Sequence, residues 1–375
     1  MSVMDKFTQA VPLPNSYIDN WKSDGKKVLG FFCTYIPDEI IYAAGILPIR
    51  MRAIGMGCTD TPMGDAYMSA TTCSFTRCVL ELANRKQYKF LDGIVCGNTC
   101  DQVRRMYDNV KFKAPFPYQY FLSIPCFVND ITLDWYKHEL VKFKESLEQT
   151  FGVEITDDAL KKAIKTYNES RTLLKQLYML RKSDTPPISG TDIMKVILAG
   201  VTMPREQFNE LLKQLLKELD GKKGISDARG RIMVVGSLLD DPEYVKLIED
   251  QGGLVVIDSL CYGTRYFWDL VDEKKDPIEA LAERYLSKIS CPRMTDGHLE
   301  RTNFVKEMIK DFNVNGVLLQ RMKFCPFWWG EIFMLRRELK EQEIPTLELE
   351  REYVLSGSGA IKTRIQAFLE VLEAR

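Results

Sequence analysis

Apolar positions along this chain gather into short runs separated by polar, helix-compatible stretches. Runs at 27–32, 46–51, 91–95 and 118–124 predict strands in the first third. After the first run, Pro37, Asp38 and Glu39 suit the first turn of a helix, where a proline and acids are favoured. Ile40 to Ala44 continue that helix, Gly45 ends it, and the 46–51 strand follows. The same order returns later. A strand at 231–236 leads to Asp241, Pro242 and Glu243, which supply an N-cap, a proline and an acid. A helix at 244–250 is stopped by Gly252 and Gly253 before a strand at 254–257. Both halves read strand, turn, proline with acid, short helix, glycine, strand. Any α/β unit with a proline-capped helix has this form, so the pattern predicts shared topology rather than shared descent.

Further strands are predicted at 316–319 and 346–350. Helices are predicted at 74–85, 277–290, 298–312, 331–341 and 359–374, the last following a turn at 356–359. Strands alternating with helices predict an α/β fold with parallel sheets. A helical region lies between the halves, with helices at 133–149, 157–181 (capped by Thr156), 191–199 and 205–219, and a rigid turn at Pro186 and Pro187. Gly221 and Gly224 flank two lysines and mark a boundary. The expected organisation is an N-terminal α/β domain at 1–132, a helical connecting region at 133–224 and a C-terminal α/β domain at 225–375.

Composition narrows the function classes. At 375 residues the chain is long enough for two domains with full cores. Its 51 basic and 52 acidic residues give no electrostatic reason to expect a nucleic-acid partner. No apolar run approaches the roughly 20 residues that span a bilayer. Residues 1–17 carry prolines and charges in place of a secretory apolar segment. The expectation is a soluble cytoplasmic protein with no membrane partner.

The chain has ten cysteines and two histidines, His138 and His298. A reducing compartment argues against disulfides, and most of the thiols are expected to be small buried hydrophobes. No Cys-x-x-Cys occurs; the nearest pairs are Cys96 with Cys100 and Cys73 with Cys78. That spacing argues against a compact zinc module. Cys33, Cys100 and Cys325 each follow a predicted strand. A parallel sheet opens its functional crevice at the carboxyl ends of its strands, and thiols gathered there suit a soft group such as iron–sulfur. Cys73 precedes a helix that Thr71, Thr72 or Ser74 can cap, where a thiol is expected to ionise more easily. Cys100 lies in a small-residue loop with Gly97 and Asn98. Cys325 sits between Lys323 and the Pro326–Trp329 cluster of bulk, which would shield it from solvent. From spacing alone, three ordinary half-buried thiols account for this pattern equally well.

The stretch GFFCTYIPDEIIYAAGILPIR at 30–50 resembles the opening motif of the 2-hydroxyacyl-CoA dehydratase and benzoyl-CoA reductase family. Cys73 before its apolar helix, the Thr99-Cys100-Asp101 loop, Cys325 in its basic and aromatic setting, and GAIKTRIQAF at 359–368 extend the resemblance along nearly the whole chain. The resemblance implies two α/β domains with a 4Fe-4S cluster between them, held by Cys73, Cys100 and Cys325, with a fourth iron lacking a protein ligand. It implies a heterodimer with a related larger (α) subunit, this chain being the smaller, β-type subunit. An ATP-dependent iron–sulfur activator protein would deliver one electron. That electron would convert a 2-hydroxyacyl-CoA thioester to a ketyl radical anion, which expels hydroxide, loses a β-proton that has become acidic and returns the electron to leave the 2-enoyl-CoA. The acyl-CoA would bind mainly on the partner subunit, so no catalytic acid or base is assigned here. Two alternatives remain open: a benzoyl-CoA reductase subunit, and a non-catalytic electron-transfer subunit.

Other candidates take simpler readings. Cys33 is expected beside the ligands, Cys96 beneath the loop, and Cys58, Cys78 and Cys291 in structural roles. Cys126 is the first replacement ligand and Cys261 a weaker one. Glu39 and Glu331 are expected as helix-start acids. Arg104, Arg105 and His138 are expected on solvated helix faces. Trp328 and Trp329 either shield the cluster or pack.

Overall fold

The computed structural model describes residues 2–354 and 358–375 and contains two four-stranded parallel sheets. The first comprises β1 (Val28–Phe31), β2 (Leu47–Arg50), β3 (Gly93–Gly97) and β4 (Tyr118–Leu122), ordered β2-β1-β3-β4. The second comprises β5 (Gly230–Gly236), β6 (Gly253–Ser259), β7 (Gly316–Met322) and β8 (Thr346–Arg351), ordered β6-β5-β7-β8. The two orders are the same, as the repeated pattern predicted. In each, strand order reverses beside the first strand: between β1 and β3, and between β5 and β7. Connections leave those neighbours toward opposite faces and open a crevice at the carboxyl ends.

Alternation along the strands builds two apolar faces on the first sheet. Val28, Ile94 and Cys96 pack with Val79, Leu82 and Met106. Leu29, Phe31 and Val95 pack on the other side with Tyr136, Leu140 and Phe143. The second of these cores also takes Leu281 and Tyr285 from the helix Pro277–Ser287, which follows β6 in the chain. In the reverse direction, the helix Gly190–Gly200 packs on β6 and the helix Pro242–Glu249. The chain therefore crosses between its halves several times, which fixes one sheet's carboxyl edge against the other's.

Local signals explain most helix ends. Thr156 accepts from the Ala159 N–H and starts the helix Asp157–Met179. Asp241 accepts from the Glu243 N–H, and Gly45 takes the left-handed φ of 73° that ends the helix Asp38–Ala43. The helix Asp130–Phe151 begins three residues before the expected start because Asn129 and Thr132 form a capping box. The helix Pro326–Glu341 begins five residues earlier than expected, since Pro326 occupies its first turn. Helices Val3–Ala10, Ser16–Ser23 and Asp101–Lys113 add to those expected. The last helix is Ser358–Glu373; the turn expected at 356–359 falls partly outside the described residues.

Asp38 and Glu39 do start a helix, but they are fully buried. Glu39 is paired with Arg171 and accepts from the Tyr285 hydroxyl at 2.7 Å. The same Tyr285 hydroxyl proton is shared with Asp38 at 2.8 Å; Asp38 also accepts from Tyr266 at 2.8 Å and pairs with Arg205 at 3.2 Å. These two acids tie the N-terminal sheet to helices that follow it.

Candidate functional site

The residues that follow β1, β3, β5 and β7 line one cavity of about 140 Å³. Cys73, Cys100 and Cys325 all contribute to its wall, so residues 252 positions apart in sequence meet at both sheets' crevices. Each of the three is the N-cap of a helix: Ser74–Asn84, Asp101–Lys113 and Pro326–Glu341. The Val103 N–H donates to the Cys100 sulfur at 3.4 Å. Phe324, just before Cys325, has φ of 60°, and Cys33, just after β1, has φ of 77°. Non-glycine residues rarely adopt this region, and such backbone concentrates at functional sites.

Electrostatics here differ from the sequence expectation for Cys73. Burial raises its pKa above the ordinary thiol value, outweighing the Phe75 and Thr76 N–H groups that favour the thiolate. Burial likewise raises Cys100, with Cys325 and Cys73 adding to the rise. Cys325 is pushed up to about 12 by burial, with Cys73 and Cys291 adding to it and the Trp328 N–H opposing. Three thiols that oppose one another's ionisation suit a bound cation: a metal centre reverses this balance and deprotonates them.

The lining contains cysteines and no histidine, aspartate or glutamate. Soft thiolates without carboxylates favour iron–sulfur over magnesium or calcium. Among the described residues, no group of three His, Cys, Asp or Glu side chains could hold a metal ion. A cluster makes a different demand, because its thiolates bind separate irons and ring a volume rather than meet at a point. The donor set and the enclosed space fit that group.

Three arginines, Arg50, Arg265 and Arg293, also line the cavity, and Trp328 and Phe75 close it with aromatic surface. Trp328 is buried and Trp329 exposed, so only Trp328 shields the cavity. Cys33, Cys261 and Cys291 line the wall as well; Cys291, expected in a structural role, both packs against the core and borders the cavity. Cys126, the reserve ligand, is exposed and absent from the lining. Cys58 and Cys78 are buried beside each other, and Cys96 is fully buried. Arg104, Arg105 and His138 are exposed, as expected. Glu331 is instead buried, pairing with Arg301 at 2.7 Å and His298 at 3.1 Å. The cavity arginines escaped sequence reading, although the strand-end rule that singled out the cysteines applies to two of them. Arg50 ends β2 and Arg265 follows β6 by six residues.

The family model of the 2-hydroxyglutaryl-CoA dehydratase D-component matches residues 33–372. The chain belongs to this family. It is 29% identical over 332 residues to one of the subunits of the benzoyl-CoA reductase of Thauera aromatica, covering 87% of this chain and 86% of that protein. It is 26% identical over 380 residues to the (R)-phenyllactyl-CoA dehydratase beta subunit of Clostridium sporogenes, covering 99% and 100%. Identity to the beta subunit of the (R)-2-hydroxyglutaryl-CoA dehydratase of Acidaminococcus fermentans is 26% over 382 residues, covering 99% of each chain. The D-component match takes in Cys73, Cys100 and Cys325, most of both sheets and most of the last helix. No helix among the described residues is long and apolar enough to cross a membrane.

Proposed function

We propose that this chain is the β-type subunit of a heterodimeric (R)-2-hydroxyacyl-CoA dehydratase, with Cys73, Cys100 and Cys325 holding a 4Fe-4S cluster. The observation that carries the reading is the cavity: three thiols at helix N-cap positions, drawn from both halves, with no carboxylate in the lining, in a chain of the D-component family. When bound, such a cluster supplies one-electron transfer. The chain's own residues do the rest. Cys73, Cys100 and Cys325 anchor it as thiolates, their helix N-termini favouring the negative charge. Trp328 and Phe75 exclude water, and the three arginines offset the anionic charge. A related α subunit forms the other half of the heterodimer and binds most of the acyl-CoA, and an ATP-dependent activator delivers the electron. The substrate, reduced to a ketyl radical anion, would expel the 2-hydroxyl as hydroxide, lose a β-proton and give the electron back, leaving the 2-enoyl-CoA.

The ring-reductase alternative shares the fold. The two dehydratase β subunits align along 99% of this chain at 26% identity and the reductase subunit along 87% at 29%, so the two chemistries are separated by assay. The test is the anaerobic heterodimer assayed with (R)-2-hydroxyacyl-CoA. Enoyl-CoA should form only with ATP and activator. Reduction of benzoyl-CoA in place of dehydration would favour the alternative, and a cluster-bearing complex inert to both substrates would make this an electron-transfer subunit.

A further inference from the structure

Two arginines join the segments that carry Cys100 and Cys325. Arg301, in the helix His298–Asp311, holds Glu331 in a two-pronged pair: Nε lies 2.7 Å from Oε1 and Nη2 2.8 Å from Oε2. Glu331 belongs to the helix Pro326–Glu341, whose N-cap position Cys325 occupies. The remaining nitrogen, Nη1, donates to Ser290 Oγ at 2.8 Å and to the Met294 carbonyl at 3.1 Å. Residues 290–294 form a turn that the Met294 N–H closes on the Cys291 carbonyl at 2.9 Å. From this turn Arg293 reaches the other half of the chain. Its Nε donates to the Thr99 carbonyl at 3.2 Å, Nη1 to Pro125 at 2.7 Å and Nη2 to Ile124 at 2.9 Å. Thr99 directly precedes Cys100.

A continuous path therefore runs from the Cys325 helix through Glu331, Arg301, the turn, Arg293 and Thr99 to Cys100. Its polar side chains, Glu331, Arg301, Ser290 and Arg293, are all buried. Charge-assisted bonds in such a setting are short and strong, and a planar guanidinium fixes direction as well as distance. Phe324, beside Cys325, holds a left-handed φ of 60°. Strained backbone of this kind persists only where the surrounding structure over-determines it. Thiolates that bind separate irons of one group must also keep a set spacing, and these two come from opposite halves of the chain.

We infer that Arg293 and Arg301, linked by the 290–294 turn, are positioning residues that form a strut across the two halves and set the separation of Cys100 from Cys325. The inference rests on the cluster reading above. Each arginine acts through the segment that presents a thiol: Arg301 through the helix that Cys325 starts, Arg293 through the Thr99 carbonyl. The two links are in series, so loss of either frees the spacing and loss of both adds little more. Their effects on the site are therefore not additive.

The test is electron paramagnetic resonance of the reduced, anaerobic heterodimer, together with the rate of iron release to a chelator, for R301K, R293K and the double variant beside a wild-type partner. The signal to follow is the one that C100S abolishes. Lysine keeps the charge at each position but lacks the planar fork, so a change in the signal does not come from lost charge. Each single variant should show a shifted or broadened resonance and release iron several-fold faster than wild type. The double variant should match the more affected single. Y353F is the control, because it weakens the join between the halves away from the strut; its resonance should stay that of wild type. Iron-replete R301K or R293K with wild-type resonance and release rate would overturn the strut. So would a double variant whose shift is the sum of the two, or a Y353F resonance moved as far as theirs. If one single variant does not fold, the other decides on the same two readings. Wild-type heterodimer lacking any signal sensitive to C100S would overturn the cluster reading instead.

Discussion

Removing one hydroxyl, in Tyr353→Phe, should weaken the join between the two halves without disturbing the thiols. The Tyr353 hydroxyl donates to Asp240 Oδ2 at 2.6 Å and accepts from the Ala53 and Ile54 N–H groups at 2.9 and 3.1 Å. Tyr353 and Asp240 have no exposed surface. Asp240 Oδ1 already lacks a partner, so the substitution leaves the carboxyl with no hydrogen bond at all. A hydrogen bond to a charged group contributes about 1.5–3 kcal/mol, and a buried N–H left unmet costs roughly 1 kcal/mol more. The ring keeps its edge contact with Phe75, 5.2 Å between centres, so packing is retained. The expected loss is about 3–4 kcal/mol near neutral pH, on the same reasoning. Burial already raises the Asp240 pKa, while the Tyr353 hydrogen bond and the Arg52 charge oppose the rise. Without the hydroxyl it rises further. A carboxyl with a raised folded pKa stabilises most below its unfolded value and loses that contribution as pH climbs through the folded one. The deficit of Tyr353→Phe should therefore shrink on acidification. Urea unfolding of both proteins at mildly acidic and mildly alkaline pH reads it directly. A deficit below about 1 kcal/mol, or one that grows in acid, would refute the reasoning. Because the Tyr353 N–H still donates to Ser74 beside Cys73, at 2.8 Å, iron content should not change.

Arg171→Met strands the fully buried Glu39 carboxylate, which the Arg171 and Arg284 charges hold below its usual pKa despite burial. Unfolding experiments should show a loss of about 3–5 kcal/mol, with the Glu39→Gln, Arg171→Met double variant losing less than the sum. Lys288 is pushed down to about 7 by burial, with Arg284 and Arg265 adding to the effect, while it donates to Thr34 Oγ1 at 3.1 Å. Between that value and the ordinary 10.5 the unfolded chain binds the extra proton, so wild-type stability should gain on Lys288→Met as pH rises from 7 to 9. Equal responses of the two proteins to pH would count against it. Gly236→Ala would place a Cβ 1.8 Å from the Gln320 carbonyl oxygen, forcing β5 from β7. A melting curve should show destabilisation on the order of 1–3 kcal/mol.

The strands were largely legible because apolar runs bounded by glycine and proline are local signals; their order within each sheet was not, since it depends on contacts between distant segments. Thr156, Asp241 and Gly45 announced helix ends for the same reason. The early start of the helix Pro326–Glu341 was harder to see, since Trp328 and Trp329 read as shielding bulk rather than as a first turn. The meeting of Cys73, Cys100 and Cys325 was reached by resemblance, because no local rule joins residues so far apart. Their pKa values could not be read from position: the helix start favours the Cys73 thiolate, but burial, a property of the assembled core, outweighs it. The arginines of the cavity were missed because their partners are carbonyls and rings from other elements, which sequence does not pair. Asp38 and Glu39 were read as acids at a helix start and proved also to be buried anchors, since their arginines and tyrosines come from helices more than 120 residues away.

The central claim is that Cys73, Cys100 and Cys325 hold an iron–sulfur cluster in the shared cavity. The most direct measurement is iron and acid-labile sulfide per chain in anaerobically prepared protein, for wild type and for single serine replacements at Cys73, Cys100, Cys325 and the exposed Cys126. The account predicts a brown wild-type protein, loss of iron and sulfide in each of the first three variants, and wild-type content in Cys126→Ser. A folded wild-type chain without iron, or iron lost from Cys126→Ser and retained in Cys100→Ser, would contradict it.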